Sequence, residues 1–241
     1  MTGEESYELL ARHYDAIHDS KPYRKEADRV LAHLDQQMDG AGDQLLGVAC
    51  GSARHIAEFT HRFACVGLDA NAGMLRLARQ RVPQARFVQA DMRRLPLEEH
   101  FDALTCLFGS IGYLRTWAHL ERAVERFADS LREGGAFAIE SWYPPEAFDE
   151  VQRKVRSCEG EDRAITRVAV AHPPEEGTSR IDIEWLIAEE GTRIRHHRET
   201  QQMGVFGVEA TRDLLAKHGL DARVDEQGLT EERVLFVGQR V

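Results

Sequence analysis

The sequence predicts an α/β fold: a mostly parallel sheet covered by helices on both faces, an antiparallel last strand, and a small inserted antiparallel sheet. Three observations favour this fold. Apolar runs typical of buried strands alternate with amphipathic helical patterns over residues 24–141. Between residues 165 and 203, apolar residues occupy alternate positions, which indicates strands with one wet face. One helical pattern and two short strand patterns then close the chain.

The N-terminal segment supplies two helices and the first strand. Apolar residues at helical spacing over residues 4–18 predict a short, lid-like helix. A second amphipathic helix is expected over Arg24–Met38, with Gly40 and Gly42 ending it. The following stretch, Gln44–Cys50, has the uninterrupted apolar character of a central parallel strand.

A glycine turn follows this strand. Gly51 allows a tight reversal of the backbone, and Ser52 is expected to cap a helix over residues 52–61. Such strand, turn and helix junctions bind nucleotides in many α/β folds. A dinucleotide fingerprint has three glycines, whereas Ser52 and Ala53 follow here, so the turn alone is a weak signal.

Further strands and helices continue the alternation. Strands are expected at Ala64–Asp69, Arg86–Gln89, Phe101–Phe108 and Ala136–Ser141. Asn71 is expected to cap the third helix of the series, which Pro83 closes. A long helix over Ala118–Leu131 is expected to stop at Gly134 and Gly135.

The C-terminal part departs from this alternation. The inserted strands are separated by turns at Pro173–Thr178 and Ala188–Thr192. A helix at Val208–His218 precedes strands at Ala222–Asp225 and Arg233–Gly238, and the short loop between these two strands requires antiparallel pairing. We therefore divide the chain into a lid and core (1–141), an inserted antiparallel lobe (142–205) and a return to the core sheet (206–241).

Composition restricts the partners and the location. The chain has 241 residues and a net charge of −10, which argues against nucleic acid as a partner and favours a small-molecule substrate. No apolar run is long enough for a membrane span, and the acidic N-terminus lacks the features of a secretion signal, so we expect a cytoplasmic protein. The exposed edge of the inserted sheet makes a homodimer plausible.

The four cysteines are expected to be core thiols rather than metal ligands or disulfide partners, because each stands alone in the sequence. No metal site is predicted. These residues are Cys50, Cys65, Cys106 and Cys158.

Candidate binding residues lie where the parallel strands end, since ligands of open parallel sheets bind at the carboxyl ends of the strands. Asp69 lies 69 − 51 = 18 residues beyond Gly51, close to the spacing at which an acid binds ribose hydroxyls. Asp91 follows the third strand. For both acids, the alternative is that the carboxylate only caps the next helix.

Several motifs give the sequence a family resemblance. They are V-A-C-G at Val48–Gly51, G-L-D-A-N-A-G-M-L at Gly67–Leu75, Q-A-D-M at Gln89–Met92, F-D-A-L at Phe101–Leu104 and L-R-E-G-G at Leu131–Gly135. Together they resemble class I S-adenosylmethionine-dependent methyltransferases, which implies a Rossmann-like doubly wound sheet.

A narrower resemblance extends over nearly the whole chain. Y-D-A-I-H at Tyr14–His18, F-G-S-I-G-Y-L at Phe108–Leu114, E-S-W-Y-P-P-E-A-F at Glu140–Phe148 and the terminal L-F-V-G are similar to TDP-amino-sugar N,N-dimethyltransferases of the desosamine or mycaminose type. This resemblance implies N-methylation of a nucleotide-linked deoxyamino sugar in antibiotic biosynthesis. The alternatives are a methyltransferase for another small amine or hydroxyl, and a nucleotide-binding protein without methyltransferase activity.

The resemblance also implies the site residues. Those expected to bind S-adenosylmethionine are Tyr14, Tyr23, Ala49, Gly51, Asp69, Ala70, Met74, Asp91, Met92, Phe108 and Gly109. Two positions depart from the family pattern: Gly47 replaces a common acid that would contact the cofactor's amino group, and Ala53 replaces a glycine. We expect cofactor binding to persist, but more weakly.

Amine methylation requires alignment more than acid or base strength, because it is an in-line displacement. Tyr14 and Tyr113 are the predicted catalytic residues, and His18 and His119 are further candidates for orienting the amine or receiving its proton. Trp142 and Tyr143 are candidates for stacking on a sugar or base, or for ordinary turn packing.

Overall fold

The structure, a computed structural model, describes residues 11, 13–38, 40, 42–148, 150–230 and 233–241. Its strands are β1 (Gln44–Val48), β2 (Ala64–Asp69), β3 (Arg86–Gln89), β4 (Phe101–Cys106), β5 (Leu131–Glu140), β6 (Gln152–Glu159), β7 (Arg163–Ala171), β8 (Thr178–Glu189), β9 (Arg195–Gly204), β10 (Leu220–Asp225) and β11 (Leu235–Arg240). Its helices are α1 (Tyr23–Gln37), α2 (Arg54–Phe59), α3 (Ala72–Arg81), α4 (Trp117–Ser130) and α5 (Val208–Lys217), with 3₁₀ turns at Ser110–Leu114 and Pro145–Ala147.

Seven strands form the main sheet in the order β10-β11-β5-β4-β1-β2-β3. Strands β1 to β5 pair in parallel, whereas β11 is antiparallel to both β5 and β10. The strand order reverses between β1 and β4, and such a switch point opens a crevice at the carboxyl ends of the strands. The predicted parallel sheet with an antiparallel last strand is therefore confirmed.

Helices cover both faces of this sheet. One apolar cluster joins α4 and α5 to the strands through residues such as Leu120, Phe127 and Leu215. A second cluster joins α1, α2 and α3 to the opposite face through Leu34 and Phe59, among others. Burial of these two apolar faces fixes the sheet, and with it the crevice, in a doubly wound core.

The inserted sheet is confirmed as a four-stranded antiparallel meander in the order β6-β7-β8-β9. The two predicted turns join β7 to β8 and β8 to β9. Strand β6 was not predicted, because it contains one aliphatic residue, Val155, and that side chain is 66% exposed. An apolar core of its own, which includes Ile183 and Trp185, supports the inner face of the meander.

Two local predictions are wrong. Ser52 does not cap a helix: α2 begins at Arg54, and the Ser52 hydroxyl donates to Asp15 Oδ1 at 2.6 Å. Gly134 and Gly135 do not stop α4, because the helix ends at Ser130 and both glycines lie within β5, at an irregularity in its register with β4.

Other local predictions are confirmed in full or in part, or lie outside the described residues. Asn71 caps α3, since its Oδ1 accepts a hydrogen bond from the Met74 N–H at 3.0 Å. Residues 13–17 of the predicted N-terminal helix are helical, and its residues up to 10, with residue 12, lie outside the described part. All four cysteines are free thiols, but the predicted core position holds for Cys65 and Cys106 and not for Cys50 and Cys158, which are only partly buried. Within the described ranges, we find no helix with the length and apolar character to cross a membrane.

Candidate active site

A cavity of about 780 Å³ opens at the carboxyl ends of the main sheet and extends along the inner face of the meander. Ten of the twelve predicted site residues line it: Tyr14, Ala49, Gly51, Asp69, Ala70, Met74, Asp91, Met92, Phe108 and Tyr113. We call the part lined by the β1–β4 ends the donor half, and the part lined by the meander the acceptor half.

Tyr23 and Gly109 do not line the cavity. The Tyr23 ring packs against His55, with ring centroids 4.9 Å apart. Gly109 has a φ of +69° and lies under Trp142, where an added Cβ would come within 2.9 Å of the indole. Gly109 therefore permits close packing behind the cavity, and the cofactor contacts of both residues stay predictions.

The turn after β1 brings backbone to the floor of the donor half. Ala49, Gly51 and Ala53 all have left-handed backbone angles, with φ of 52°, 55° and 64°. For the two alanines this conformation costs roughly 1–2 kcal/mol each. The turn is held by the Gly51 N–H, which donates to Asp69 Oδ2 at 2.8 Å.

Asp69 joins the glycine turn after β1 to the start of α3. Its Oδ2 holds the Gly51 turn, and its Oδ1 accepts from the Asn71 N–H at the start of α3, also at 2.8 Å. Burial raises the pKa of Asp69, and these backbone N–H groups oppose that shift. Since the two carboxylate oxygens have about four lone pairs between them, Asp69 retains acceptor capacity beside these backbone bonds.

Asp91 is held differently, at the end of β3. Arg93 donates to it through its backbone N–H at 2.9 Å and through Nε at 2.8 Å. This guanidinium lowers the pKa of Asp91 to about 2, so the side chain is a carboxylate at neutral pH. The donor half thus carries one acid at the end of β2 and one at the end of β3.

Phe108 lies two residues beyond β4 and lines the cavity. Its φ of 61° is left-handed, and its backbone N–H donates to the buried Glu140 carboxylate. Arg233 lies against the same carboxylate at 3.9 Å and among three aromatic rings, those of Phe108, Trp142 and Tyr143, at 5.2, 4.8 and 4.8 Å. Its Nε and Nη1 are buried and have no hydrogen-bond partner among the described residues, although the side chain lines the cavity.

The candidate proton acceptors differ in their surroundings. Burial, followed by the neighbouring Tyr23 and Tyr113, raises the pKa of Tyr14 well above its usual value. Tyr113 lines the cavity and is 51% exposed. His18 also lines it, whereas His119 lies outside, with Nδ1 2.9 Å from the Leu114 carbonyl oxygen.

The meander presents a basic edge and an acidic edge to the acceptor half. Register pairing aligns Lys154, Ala169, Ile183 and Glu199 in one row and Arg156, Arg167, Trp185 and His197 in the next. The Trp185 indole N–H donates to Glu199 Oε1 at 3.2 Å. Burial raises the pKa of Glu199 and lowers that of Arg167. A strip of apolar and aromatic residues therefore separates cations on β6 and β7 from a carboxylate on β9.

Sequence reasoning missed these cavity-lining residues of the acceptor half: Lys154, Arg156, Arg167, Glu199, Gln201 and Arg233. The available signal was their position, because those on β7 and β9 alternate with outward-facing residues.

The donor half fits S-adenosylmethionine. Asp69 at the end of β2 would bind the ribose hydroxyls, and Asp91 beyond β3 would lie at the adenine. Met74 and Met92 line the same part of the cavity and would offer apolar contacts to the cofactor. The space of the missing acid at Gly47 is filled, since a Cβ there would lie 2.4 Å from Ile56 Cδ1. The side chains of Asp69 and Asp91 would thus hold a cofactor that supplies an electrophilic methyl group.

Comparison with known proteins supports this interpretation. A methyltransferase domain model matches residues 45–135. The chain is 34% identical to dTDP-3-amino-3,6-dideoxy-alpha-D-glucopyranose N,N-dimethyltransferase of Streptomyces fradiae, over 95% of this chain and 90% of the relative.

Two solved structures are also similar. The sugar N-methyltransferase KedS8 from Streptoalloteichus has a TM-score of 0.86 at 30% identity, covering 97% of this chain and 92% of that one. S-adenosylmethionine-bound CalS10, an amino pentose methyltransferase from Micromonospora echinaspora, has a TM-score of 0.79 at 30% identity, with 98% and 97% covered. The predicted enzyme class and methyl donor are thereby confirmed, and the chain belongs to the S-adenosylmethionine-dependent methyltransferases, in the family of the TDP-amino-sugar N,N-dimethyltransferases.

Proposed function

We propose that the protein transfers two methyl groups in succession to the amino group of a dTDP-linked deoxyamino sugar. The observation that carries this proposal is a group of cations that line the cavity, which we call the cationic wall: Lys154, Arg156, Arg167 and Arg233. A nucleoside diphosphate sugar brings a diphosphate dianion to such a wall, whereas a free amino sugar or a simple amine brings none.

The geometry of the wall supports an anionic ligand. Arg156 and Arg167 are direct partners across the β6–β7 ladder, where like charges destabilise the sheet. Arg233 is buried beside the Glu140 carboxylate, with its Nη1 3.9 Å from Oε1. An anion beside Arg156 and Arg167 would offset the repulsion between them, and guanidinium groups bind phosphate in bidentate fashion.

The chain's contribution to methyl transfer is alignment. The amine nitrogen attacks the methyl carbon as the carbon–sulfur bond breaks, the sulfur leaves as a neutral thioether, and the amine proton passes to solvent. Phe108, Tyr14 and Tyr113 line the cavity where its two halves meet, and we assign them to holding the amine in line. The second transfer repeats the step on the monomethylamine.

The test is a panel of acceptors incubated with S-adenosylmethionine and analysed by mass spectrometry. We expect one and then two methyl groups on a dTDP-linked 3-amino-3,6-dideoxy sugar, and no reaction with the same sugar lacking the nucleotide. Equal turnover of the free sugar, or turnover of unrelated amines or hydroxyls only, would reject the proposal.

Sedimentation velocity would test the predicted homodimer.

A further inference from the structure

His18 is a buried polar side chain that lines the cavity and takes no part in the proposed function as stated above. It is 6% exposed and lines the cavity between Tyr14 and Phe108, with ring centroids 4.3 and 5.4 Å away. Phe108 follows β4 in the donor half, and Arg156 and Arg167 of the acceptor half lie close enough to His18 to affect its ring. His18 therefore lies beside the junction at which a nucleophile must meet the methyl group.

A hydrogen bond to the backbone fixes the imidazole tautomer. His18 Nδ1 lies 2.9 Å from the Tyr14 carbonyl oxygen. Because a carbonyl oxygen has no hydrogen to donate, Nδ1 carries the proton. In the neutral ring, Nε2 is then a lone-pair acceptor.

The surroundings keep this ring neutral. Burial, together with the nearby charges of Arg156, Arg167 and Lys21, lowers the pKa of His18 to about 4, against the opposing hydrogen bond to Tyr14. A neutral acceptor beside three cations attracts a donor without adding positive charge next to a sulfonium.

Nε2 makes no hydrogen bond to the residues that the structure describes, since the hydrogen bond of the ring is the one from Nδ1 to Tyr14. Of its charged neighbours, Lys21 is paired with Glu26, and Arg156 and Arg167 belong to the cationic wall. A diphosphate has no hydrogen to donate at neutral pH. An amine does: a neutral amine has N–H groups and one lone pair. An N–H donated to Nε2 turns that lone pair away from the imidazole.

We propose that His18 accepts a hydrogen bond from the acceptor amine through Nε2 and so directs the amine's lone pair into the donor half. This inference rests on the proposed function, because it requires an amine as nucleophile. The same bond would hold the monomethylamine, which retains one N–H, for the second transfer.

The kinetic test compares three variants on the dTDP-linked amino sugar. H18F keeps the aromatic contacts and loses the acceptor, so kcat should fall about 100-fold, with little change in KM. H18Q places an amide oxygen near the position of Nε2 and should recover to within about tenfold of the wild type. H18N reaches only the position of Nδ1 and should resemble H18F.

Controls separate this proposal from its alternatives. Calorimetric binding of the demethylated cofactor should be unchanged in all three variants. If H18F does not fold, the comparison of H18Q with H18N decides, and equal kcat for the two would overturn the proposal. A rise in KM with constant kcat would also overturn it, since His18 would then bind a spectator hydroxyl. Failure of the wild type to methylate any amino sugar would instead reject the proposed function.

A spectroscopic readout is independent of turnover. In ¹⁵N spectra of the imidazole rings, the signal absent from H18Q should report the Nδ1–H tautomer and persist without protonation from neutral pH to about pH 5. An Nε2–H tautomer, or a charged ring at neutral pH, would overturn the assignment.

Discussion

At the scale of single residues, Gly51 gives the most direct test of the donor half. It has a φ of +55° and lines the cavity, and an added Cβ would meet no atom within 4 Å. Gly191, in the turn between β8 and β9, has a φ of +72° and equally open space, but lies away from the cavity. The two positions therefore share the backbone strain of a substitution and differ in their distance from the ligand.

We expect G51V and G191V each to lose roughly 1–2 kcal/mol in the free energy of unfolding, because valine resists a left-handed backbone. Only G51V should lose affinity for S-adenosylmethionine, since its branched side chain would project at the donor half. Urea denaturation and isothermal titration measure the two effects. Equal cofactor affinity of G51V and G191V would move the binding site away from this turn.

At the scale of elements, strand β6 has an arginine on each of its two faces, and the two arginines have different neighbours. Arg156 points inward and lies directly opposite Arg167, whereas Arg153 points outward and lies opposite Val170. Removing Arg156 relieves a like-charge pair, so R156Q should raise the free energy of unfolding of the ligand-free protein by roughly 0.2–1 kcal/mol at low salt. The same change should lower kcat/KM for the nucleotide sugar.

R153Q is the matched control, because it removes the same charge from the outer face of the same strand. Neither the free energy of unfolding nor kcat/KM should change measurably in this variant. Chemical denaturation at low and high salt, together with initial rates, distinguishes the two. A ligand-free R156Q that is less stable than the wild type would show that the arginine pair is not repulsive.

The same strand shows where sequence reasoning stops. Alternating apolar residues made β7 and β8 predictable, and the motif at Asp69 made the donor half predictable, because core packing and turn geometry restrict those residues. In β6 the inward positions include Lys154 and Arg156, which line the cavity instead of a core. In the sequence, a charged residue that lines a cavity resembles one that is exposed to solvent. Only the packing of the meander against the cavity distinguishes the two.

Contacts between residues distant in the sequence also limited the prediction of where helices begin and end. Ser52 suits a helix cap by residue type, but its hydroxyl is taken by Asp15, which lies distant in the sequence. Gly134 and Gly135 resemble a helix stop, but β4 draws the chain into pairing directly after α4. In both cases a tertiary contact outweighed the local preference.

At the scale of the whole molecule, charge is distributed unevenly between surface and cavity. The chain carries a net charge of −10, yet the cationic wall brings four positive side chains to one cavity. A cavity of this kind suits a small dianion, whereas nucleic acid binds through many cations spread along a surface. This contrast gives the predicted absence of nucleic acid binding a physical test.

We expect dTDP to inhibit methyl transfer competitively with the sugar substrate and to raise the melting temperature, because it carries the diphosphate for the cationic wall. A single-stranded oligothymidylate contains the same base and sugar but has internal phosphodiesters, and it should neither bind nor inhibit at about 0.1 M salt. Fluorescence anisotropy of the labelled oligonucleotide and initial rates with dTDP provide the measurements. Binding of the oligonucleotide as tight as that of dTDP would mean that the cations serve an extended polyanion, and the cavity would then have to be reassigned.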